Sequence, residues 1–316
     1  MRLHEDKELF NSLIQSAAVA FGLRDFQVEK DYYVSLLLKQ LVERRPSIVF
    51  KGGTSLSKCY EVIKRFSEDL DVSVPVEEGT TKLSRGQKKQ LKTDIVEVID
   101  QLGFDLLNAE EIRSGREFNE YKIAYDKHFV GDAQMSPHIL VETNVAFKPF
   151  PFEQRPVSNY ITQFVMGAAG EEAEKESFFK EYDMAPFLTN VQSIDRTFLD
   201  KVFAICDYYE KEESTRYSRH LYDLHKIWQS SYLDISTLEM ILPEVIAIRQ
   251  EGKDTVSSQP GYALTENLQH IIATSFYKQD YHRNTKTFLA EDVSYEETIN
   301  SLEAIIQKGF LPKRIE

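Results

Sequence analysis

Two glycines and two aspartates stand close together in the stretch VFKGGTSLSKCYEVIKRFSEDLDVSV, residues 49–74. The segment DLDVSV alternates polar and apolar residues, which predicts a strand. Asp69 and Asp71 then project from one face of that strand, and Leu70 and Val72 project from the other. Two carboxylates on one face repel each other unless they hold a cation. Hard oxygen ligands in such a pair suit Mg²⁺, which commonly binds one or two carboxylates together with substrate phosphates.

The glycine pair lies between a predicted strand and a predicted helix. Gly52 and Gly53 allow a ligand to approach the backbone, and Thr54 or Ser55 can cap the helix, whose first amides favour an anion. Metal-bridged phosphoryl or nucleotidyl transfer needs both a phosphate site and a metal site. The alternative is an ordinary turn followed by a solvated edge strand. The stretch is not a Walker loop, because GGTSLSK lacks the second glycine before Lys-Ser/Thr.

A third carboxylate would complete a two-metal site. The segment HILVETNVAF reads as a strand that carries Glu142, with His138 and Leu140 on the same side. Glu142 is therefore a candidate metal ligand. A glutamate on a solvent-facing strand is the competing interpretation.

An interior lysine is expected in TFLDKVFAICDYY, which is apolar almost all round and therefore typical of a buried helix. Lys201 is flanked along its face by Phe198 and Ile205. A buried ammonium needs a phosphate or a carboxylate partner. Alternatively, its chain extends along the helix to bring the charge to the surface.

A second helix, predicted from RYSRHLYDLHKIW, carries a polar stripe at positions i, i+3, i+4 and i+7. The stripe consists of Arg216, Arg219, His220 and Asp223. Two guanidiniums, an imidazole and a carboxylate could bind a triphosphate and position a catalytic group. The same stripe could equally be a surface whose charges satisfy one another.

The ordered set EKDYYV, KGGTSLSKCY, RFSEDLDVSV, DRTFLDKVFAI and RYSRHLYDL resembles the AbiEii-type nucleotidyltransferase family. These proteins are toxins of bacterial abortive-infection (phage-defence) and type IV toxin–antitoxin systems, within the polymerase-β-like nucleotidyltransferase superfamily. The resemblance covers residues 25–230. The glycine and Asp-x-Asp motif is shared across the superfamily, whereas the lysine motif and the Arg-x-x-Arg-x-x-Tyr-Asp motif are particular to the family.

The resemblance implies a role for each matching residue. Phosphates of the nucleotide would be held by Gly52, Gly53, Thr54 and Ser55, divalent metal by Asp69 and Asp71, and the triphosphate by Lys201. Arg216, Arg219 and Asp223 would complete the site, with Asp223 a candidate catalytic acid or base. Family members usually have Arg-Asp where this chain has Arg219-His220, so no catalytic role is assigned to position 220.

The family is associated with nucleotide binding, with GTP preference in some members and with nucleotide addition to tRNA in some relatives. One independent feature agrees with an RNA acceptor. A basic stripe falls mostly on one side of a predicted helix and consists of Lys82, Arg85, Lys88, Lys89 and Lys92. An ordinary solvated helix face explains the same stripe.

The composition restricts the functional classes. The 316 residues carry a formal net charge of −13, so bulk charge cannot hold nucleic acid and any RNA contact needs a local basic patch. No window has the ~18 apolar residues of a membrane span, and the acidic start MRLHEDKELFNSLIQ does not resemble a signal peptide. We therefore expect a cytoplasmic protein without membrane contact. Cys59 and Cys206 are expected to be buried thiols.

These residues need a mixed scaffold to position them. Strands are predicted at 47–53, 69–74, 119–126 and 138–147, and helices at 4–20, 29–44, 54–66, 84–102, 195–211, 216–230, 237–249 and 295–308. The fold class is α/β (α+β): a nucleotidyltransferase lobe with a small mixed sheet over residues 1–192, then an all-helical lobe over 193–316. We expect the helical lobe to complete the active site.

The resulting hypothesis is an enzyme that uses Mg²⁺ or Mn²⁺ to transfer a nucleoside monophosphate from an NTP to an acceptor, tRNA being favoured. Translation and growth would then stop. The alternatives are nucleotidylation of a protein target and a non-catalytic nucleotide-binding regulator. The resemblance also implies a cognate antitoxin, a DNA-binding regulator encoded nearby.

Overall fold

A computed structural model describes residues 1–67, 69–76, 80, 82–131, 135–252 and 254–316. Glu68, which falls inside the quoted motif RFSEDLDVSV, lies outside these residues. The described part of the chain combines a seven-stranded mixed sheet with many helices, so the predicted α/β class is confirmed.

The strands are β1 (Val49–Lys51), β2 (Asp69–Ser73), β3 (Asp105–Leu106), β4 (Phe118–Ala124), β5 (Ile139–Asn144), β6 (Phe152–Val157) and β7 (Phe187–Gln192). The helices are α1 (Lys7–Phe21), α2 (Asp25–Arg44), α3 (Gly52–Lys58), α4 (Arg85–Gln101), α5 (Tyr160–Gly167), α6 (Glu172–Tyr182), α7 (Ile194–Glu210), α8 (Arg219–Trp228), α9 (Ile235–Gln250), α10 (Leu264–Thr274), α11 (Lys278–Arg283) and α12 (Tyr295–Lys308).

Serine caps fix the start of three helices. The hydroxyls of Ser84, Ser193 and Ser294 each accept a hydrogen bond from the backbone N–H three residues later, at the beginning of α4, α7 and α12. Such a cap satisfies one of the N–H groups that the first helical turn leaves without a partner.

The chain divides into two compact units. The sheet unit comprises Met1–Cys59, Ser67–Val145 and Phe152–Val191, and the helical unit comprises Tyr60–Phe66, Ala146–Pro151 and Gln192–Glu316. Two short segments from the first half of the chain therefore belong to the helical unit. Our proposed roles for 1–192 and 193–316 stay predictions.

In the sheet unit the strand order is β3-β4-β5-β2-β1-β7-β6. β2 pairs with β5 in parallel, β1 pairs with β7 in parallel, and β1–β2, β3–β4 and β4–β5 are antiparallel. One face of the central strands is apolar and buried, as Phe50, Leu70, Val72 and Val141 show. The opposite face is free to carry polar groups, since side chains alternate along each strand.

The helical unit has its core around α7, where Val202, Phe203, Ile205 and Cys206 are fully buried. α7 packs against α8 and α9, and α8 packs against α12. A helix that is apolar on nearly every side needs neighbours on nearly every side. Cys206, and Cys59 in the sheet unit, are buried free thiols, as expected.

The predicted helix over 54–66 and the content of strands and loops up to residue 192 need correction. The helix predicted over 54–66 ends at Lys58, and residues 60–66 instead run beside residues 288–290 of the helical unit, where Phe66 N–H donates to Phe288 O at 3.1 Å. Glu61, with φ of 55°, turns the chain out of the helical path. The region up to residue 192 also contains α5 and α6, where only strands and loops were expected.

Candidate active site

Four carboxylates share the polar face of the sheet. Asp69 and Asp71 lie two residues apart in β2, and Glu142 of β5 is the direct neighbour of Asp71 in the parallel β2–β5 pair. Glu120 of β4 is paired in turn with Glu142. Residues paired across neighbouring strands point to the same face. The sheet therefore gathers the two aspartates, both half-buried, with the glutamate that the sequence singled out.

Crowding of these acids shows in the protonation of Glu142. Burial and, after it, the negative charges of Asp71, Asp69 and Glu120 together raise the pKa of Glu142 to about 8. Like charges that cannot separate favour either a bound proton or a bound cation. This face of the sheet is therefore electrostatically suited to a cation.

Gly52, the first residue of α3, lies directly against Asp71. Its φ is 77°, in the left-handed region, and a Cβ at this position would overlap the Oδ2 atom of the Asp71 carboxylate. Only glycine satisfies both conditions without strain. The backbone of the glycine turn can thus lie close to the Asp71 carboxylate, which explains why position 52 requires a glycine.

A divalent cation fits the chemistry of this donor set only in part. Within the described residues, no group of three or more His, Cys, Asp or Glu side chains is arranged to hold a metal ion. Asp69 and Asp71 supply the one or two carboxylates with which Mg²⁺ is usually bound when substrate phosphates provide further ligands. The residues therefore fit a metal that arrives with its nucleotide, and Glu142 as a third ligand stays a prediction.

Thr54 and Ser55 do not cap α3, contrary to the sequence interpretation. The residue preceding the helix is Lys51. The Thr54 hydroxyl donates to Asp69 O at 2.6 Å, and the Ser55 hydroxyl donates to Gly52 O at 2.8 Å. Both side chains are buried, so any phosphate contact by these residues, or by Gly53 beside them, would fall to the backbone.

The far end of α3 is anchored by a buried ion pair that the sequence interpretation missed. Lys58 binds the carboxylate of Asp31 and donates to the Ser35 hydroxyl at 2.7 Å, and Asp31 also accepts the N–H of Tyr160 at 2.9 Å. A buried charge is stable only when it is paired in this way. Asp31 and Ser35 belong to α2, so the anchor fixes the glycine helix on the helix before it.

In the helical unit, Lys201 and Asp223 form a buried ion pair. The Lys201 ammonium donates to Asp223 Oδ2 at 2.6 Å, and Asp223 is fully buried. The interior lysine thus has the carboxylate partner that was one of the sequence alternatives, and it does not reach the surface. Arg65 makes two further bonds to the same carboxylate, Nε to Oδ1 at 2.7 Å and Nη2 to Oδ2 at 2.8 Å.

These cations determine the protonation of Asp223. Burial alone would raise the pKa of Asp223, but the charges of Arg65 and Lys201, and their hydrogen bonds, hold it well below its ordinary value. Burial lowers the pKa of Lys201, and the charges of Arg65 and Arg219 add to this effect while Asp223 opposes it. Two cations thus bind one carboxylate, and Arg219 acts on Lys201 as a further positive charge, so the cluster carries excess positive charge.

His220 is neutral beside this cluster. Burial, followed by the positive charges of Lys201 and Arg219, holds the pKa of His220 well below its ordinary value. Its ring is nearly parallel to those of Tyr208 and Tyr217, with centroids 5.9 and 6.3 Å away. A neutral imidazole is thus packed among aromatic rings, and the absence of a catalytic role at this position stays a prediction.

The predicted stripe on α8 is not continuous. α8 begins at Arg219, whereas Arg216 lies in the preceding turn with φ of 71° and is exposed. Arg216 and Asp223 therefore do not share one helix face, and the helix prediction from residue 216 is wrong. The carboxylate of Asp280 accepts the N–H groups of Arg216 and Ser218 and holds the turn outside the helix.

The chain matches one family over residues 36–308, and the description of that family is nucleotidyl transferase AbiEii toxin of the type IV toxin–antitoxin system. The chain belongs to the AbiEii nucleotidyltransferase toxin family. Membership implies nucleotidyltransferase activity, a nucleotide substrate and a cognate antitoxin. A search of curated proteins found no match.

The predicted RNA-binding residues of this AbiEii family member lie at the start of α4. They are Lys82, Arg85, Lys88, Lys89 and Lys92. Two lysines are close to the carboxylate of Glu117, Lys88 at 3.4 Å and Lys82 at 3.8 Å. Lys92 donates to a backbone carbonyl at 3.1 Å, and the remaining two residues are exposed. RNA binding by this stripe stays a prediction.

The most informative residue that the sequence missed is Arg65. Its position inside RFSEDLDVSV was a usable signal, because the motif that places Asp69 and Asp71 also contains this arginine. The helix predicted over 54–66 includes Arg65, and no role was predicted for this residue. No helix within the described residues is long and apolar enough to cross a membrane.

Proposed function

We propose that this AbiEii family member transfers a nucleoside monophosphate from an NTP to tRNA with the help of Mg²⁺ or Mn²⁺. The modification would block translation and growth when the antitoxin does not restrain the enzyme. The observation that carries the proposal is the polar face of the sheet, where Asp69, Asp71 and Glu142 are gathered and Gly52 approaches Asp71.

Asp69 and Asp71 would hold the divalent cation, with Glu142 as a third ligand. When bound, the cation polarises the phosphate oxygens and neutralises charge that develops during transfer. Because the Gly52 backbone lies against Asp71, a phosphate bound to the glycine turn would lie beside the carboxylates. The crowding that raises the pKa of Glu142 supports this assignment, because a cation would relieve the repulsion.

The cation cluster of the helical unit would neutralise the triphosphate. Arg65, Lys201 and Arg219 together exceed the charge of Asp223, and Arg216 adds an exposed guanidinium. In the reaction, the acceptor hydroxyl forms a bond to the α-phosphorus while the bond to pyrophosphate breaks. The leaving pyrophosphate gains negative charge, which positively charged groups stabilise. Asp223 would orient Arg65 and Lys201 and is a positioning residue in this scheme.

The proton of the acceptor hydroxyl needs a base. Asp223 is a poor candidate, since its pKa lies well below the ordinary value and its two oxygens are bonded to Arg65 and Lys201. A general base works best when its pKa lies near the working pH. The pKa of Glu142, raised to about 8, meets this condition, so we assign proton acceptance to Glu142 when it does not bind the cation.

The tRNA acceptor is supported by the basic start of α4, where Arg85 and Lys89 are exposed. A net charge of −13 means that RNA would have to bind such a local patch. We propose a cytoplasmic enzyme, since tRNA is found there. Its antitoxin would be a DNA-binding regulator encoded nearby.

The test is transfer of label from each α-labelled NTP, with MgCl₂ and tRNA, by wild-type protein and by Asp71→Asn. The variant should lose transfer about 10³-fold, because several kcal/mol of charge stabilisation depend on the metal. Asp105→Asn, an exposed aspartate on β3, is the matched control and should keep full activity.

Digestion of the labelled product identifies the acceptor. RNase-sensitive label supports tRNA, whereas protease-sensitive label replaces it with a protein target. Nucleotide binding without pyrophosphate release under either metal would make the protein a non-catalytic regulator. Equal transfer by wild type and Asp71→Asn would refute the assignment of the site.

A further inference from the structure

The turn before α8 has an unusual backbone. Arg216 has φ of 71°, a conformation that non-glycine residues seldom adopt, and its side chain is exposed. Such a conformation persists only where the surrounding structure enforces it, and it is common at functional sites. The sequence itself favours a different backbone, since RYSRHLYDLHKIW has helical spacing from residue 216 onward.

Asp280 of α11 is the group that enforces this turn. Its Oδ1 accepts the N–H of Arg216 at 2.8 Å and the side-chain amide of Asn284 at 2.6 Å. Its Oδ2 accepts the N–H of Ser218 at 3.0 Å and also the Ser218 hydroxyl. The Ser218 hydroxyl is in turn bonded to that of Thr285 at 2.7 Å.

These bonds determine where α8 begins. Asp280 is buried, and a buried carboxylate is stable when N–H and O–H groups satisfy its oxygens. The N–H groups of residues 216 and 218 both donate to this one carboxylate, which holds the turn with Arg216 in its left-handed conformation. Without Asp280, the helical spacing would favour extension of α8 by up to one turn, which would swing Arg216 around the axis.

We propose that Asp280 is a positioning residue for nucleotide binding: it holds residues 216–218 outside α8 and thereby presents the Arg216 guanidinium to the phosphates. This inference rests on the proposed function. Arg219, three residues further on, is the first residue of α8, so the same turn fixes the start of the helix that carries Arg219 and Asp223. The positions of Arg216 and Arg219 thus both depend on one buried acceptor, the carboxylate of Asp280.

The test is the affinity of the full chain for each NTP with MgCl₂, measured by titration calorimetry. In Asp280→Asn an NH2 group replaces one carboxylate oxygen and cannot accept the hydrogen bonds that this oxygen accepted, so donors of the turn lose an acceptor. We expect Kd to rise about 10-fold, as for loss of a charge-assisted contact, and kcat to change much less than KM.

Thr285→Val is the matched structural control. It removes one buried hydrogen bond from the same network but leaves both backbone N–H bonds to Asp280 in place. Both variants should lower the melting temperature, and only Asp280→Asn should weaken binding. If Thr285→Val weakens binding equally, the effect is general loosening and the positioning role is wrong.

A double-mutant cycle with Arg216→Asn shows whether Asp280 acts through the arginine. Asparagine tolerates positive φ, so it removes the guanidinium without adding strain. In the Arg216→Asn background, Asp280→Asn should cause little further loss of affinity. Full additivity, or an unchanged Kd in Asp280→Asn, would overturn the inference. If the wild type binds none of the four NTPs, the proposed function itself fails, and the inference fails with it.

Discussion

Carboxylates in the two units respond to opposite surroundings. In the sheet unit, burial and neighbouring acids raise the pKa of Glu142 to about 8, whereas in the helical unit Arg65 and Lys201 hold the pKa of Asp223 well below its ordinary value. The first region has more negative charge than its partners balance, and the second has more positive charge. Each excess indicates the kind of ligand that the region would stabilise.

The comparison separates a binding role from a structural role. Glu142 is destabilised where it lies, so a ligand of opposite charge improves its situation. Asp223 is already satisfied by two cations, so it holds other groups in place. A strongly shifted pKa is thus a sign of function only after its cause is known.

Asp223→Ala should give the largest effect on stability. The substitution leaves Arg65 and Lys201 buried without their shared carboxylate, which should lower the free energy of unfolding by about 3–5 kcal/mol. Urea unfolding followed by circular dichroism measures it. Asp292→Ala, an exposed aspartate paired with Lys286, is the control and should change stability by less than about 1 kcal/mol. Equal effects would mean that the buried carboxylate of Asp223 contributes no more to the free energy of unfolding than an exposed one.

Gly52→Ala tests the close contact between the glycine turn and the carboxylate of Asp71. Alanine must adopt a left-handed φ and its Cβ overlaps the Asp71 carboxylate, so we expect a loss of about 2–3 kcal/mol in the free energy of unfolding. Gly115→Ala is the matched control, because a Cβ there meets no atom within 4 Å. Part of the loss should return in the double variant Gly52→Ala/Asp71→Ala. A harmless Gly52→Ala would show that the turn is not in contact with Asp71.

Acidic pH should remove the contribution that Asp223 makes to the free energy of unfolding. Its folded pKa is depressed, so the stability it provides is present above the ordinary aspartate pKa of about 4 and is lost as pH falls below that value. The difference in unfolding free energy between wild type and Asp223→Asn should therefore be constant near neutral pH and shrink below about 4. The other carboxylates titrate in both proteins, so their effects cancel in the difference between the two unfolding free energies. A difference that grows in acid would contradict the ion-pair assignment.

Much of the sheet site could be predicted because its signals are local. Alternation in DLDVSV places Asp69 and Asp71 on one face, and the parallel pairing of β2 with β5 then brings Glu142 beside Asp71. The charge cluster of the helical unit was harder to predict, because the residues that form it are far apart in the sequence. Arg65 and Asp223 are 158 residues apart, so no spacing rule connects them.

The start of α8 shows the same limit. Helical spacing is a local preference, and it correctly predicts the helix from Arg219 onward. Asp280 lies 64 residues beyond Arg216 and removes the first turn by accepting its N–H groups. Tertiary hydrogen bonds thus override local preference at the place where Arg216 is exposed, and this information is absent from the segment itself.

The smallest expected effect is stabilisation by Glu142→Gln in the absence of metal. The amide keeps the shape of the protonated side chain, and the variant does not have to take up a proton on folding at neutral pH as Glu142 does. With EDTA present, its free energy of unfolding should therefore exceed that of wild type by about 1 kcal/mol. With saturating MgCl₂ and a non-hydrolysable NTP the order should reverse, because wild type then gains a ligand oxygen with full charge. Glu181→Gln, an exposed glutamate on α6, should behave as wild type in both conditions. A variant that is destabilised in EDTA would mean that the three carboxylates do not repel one another, and the contrast between the two regions would then be lost.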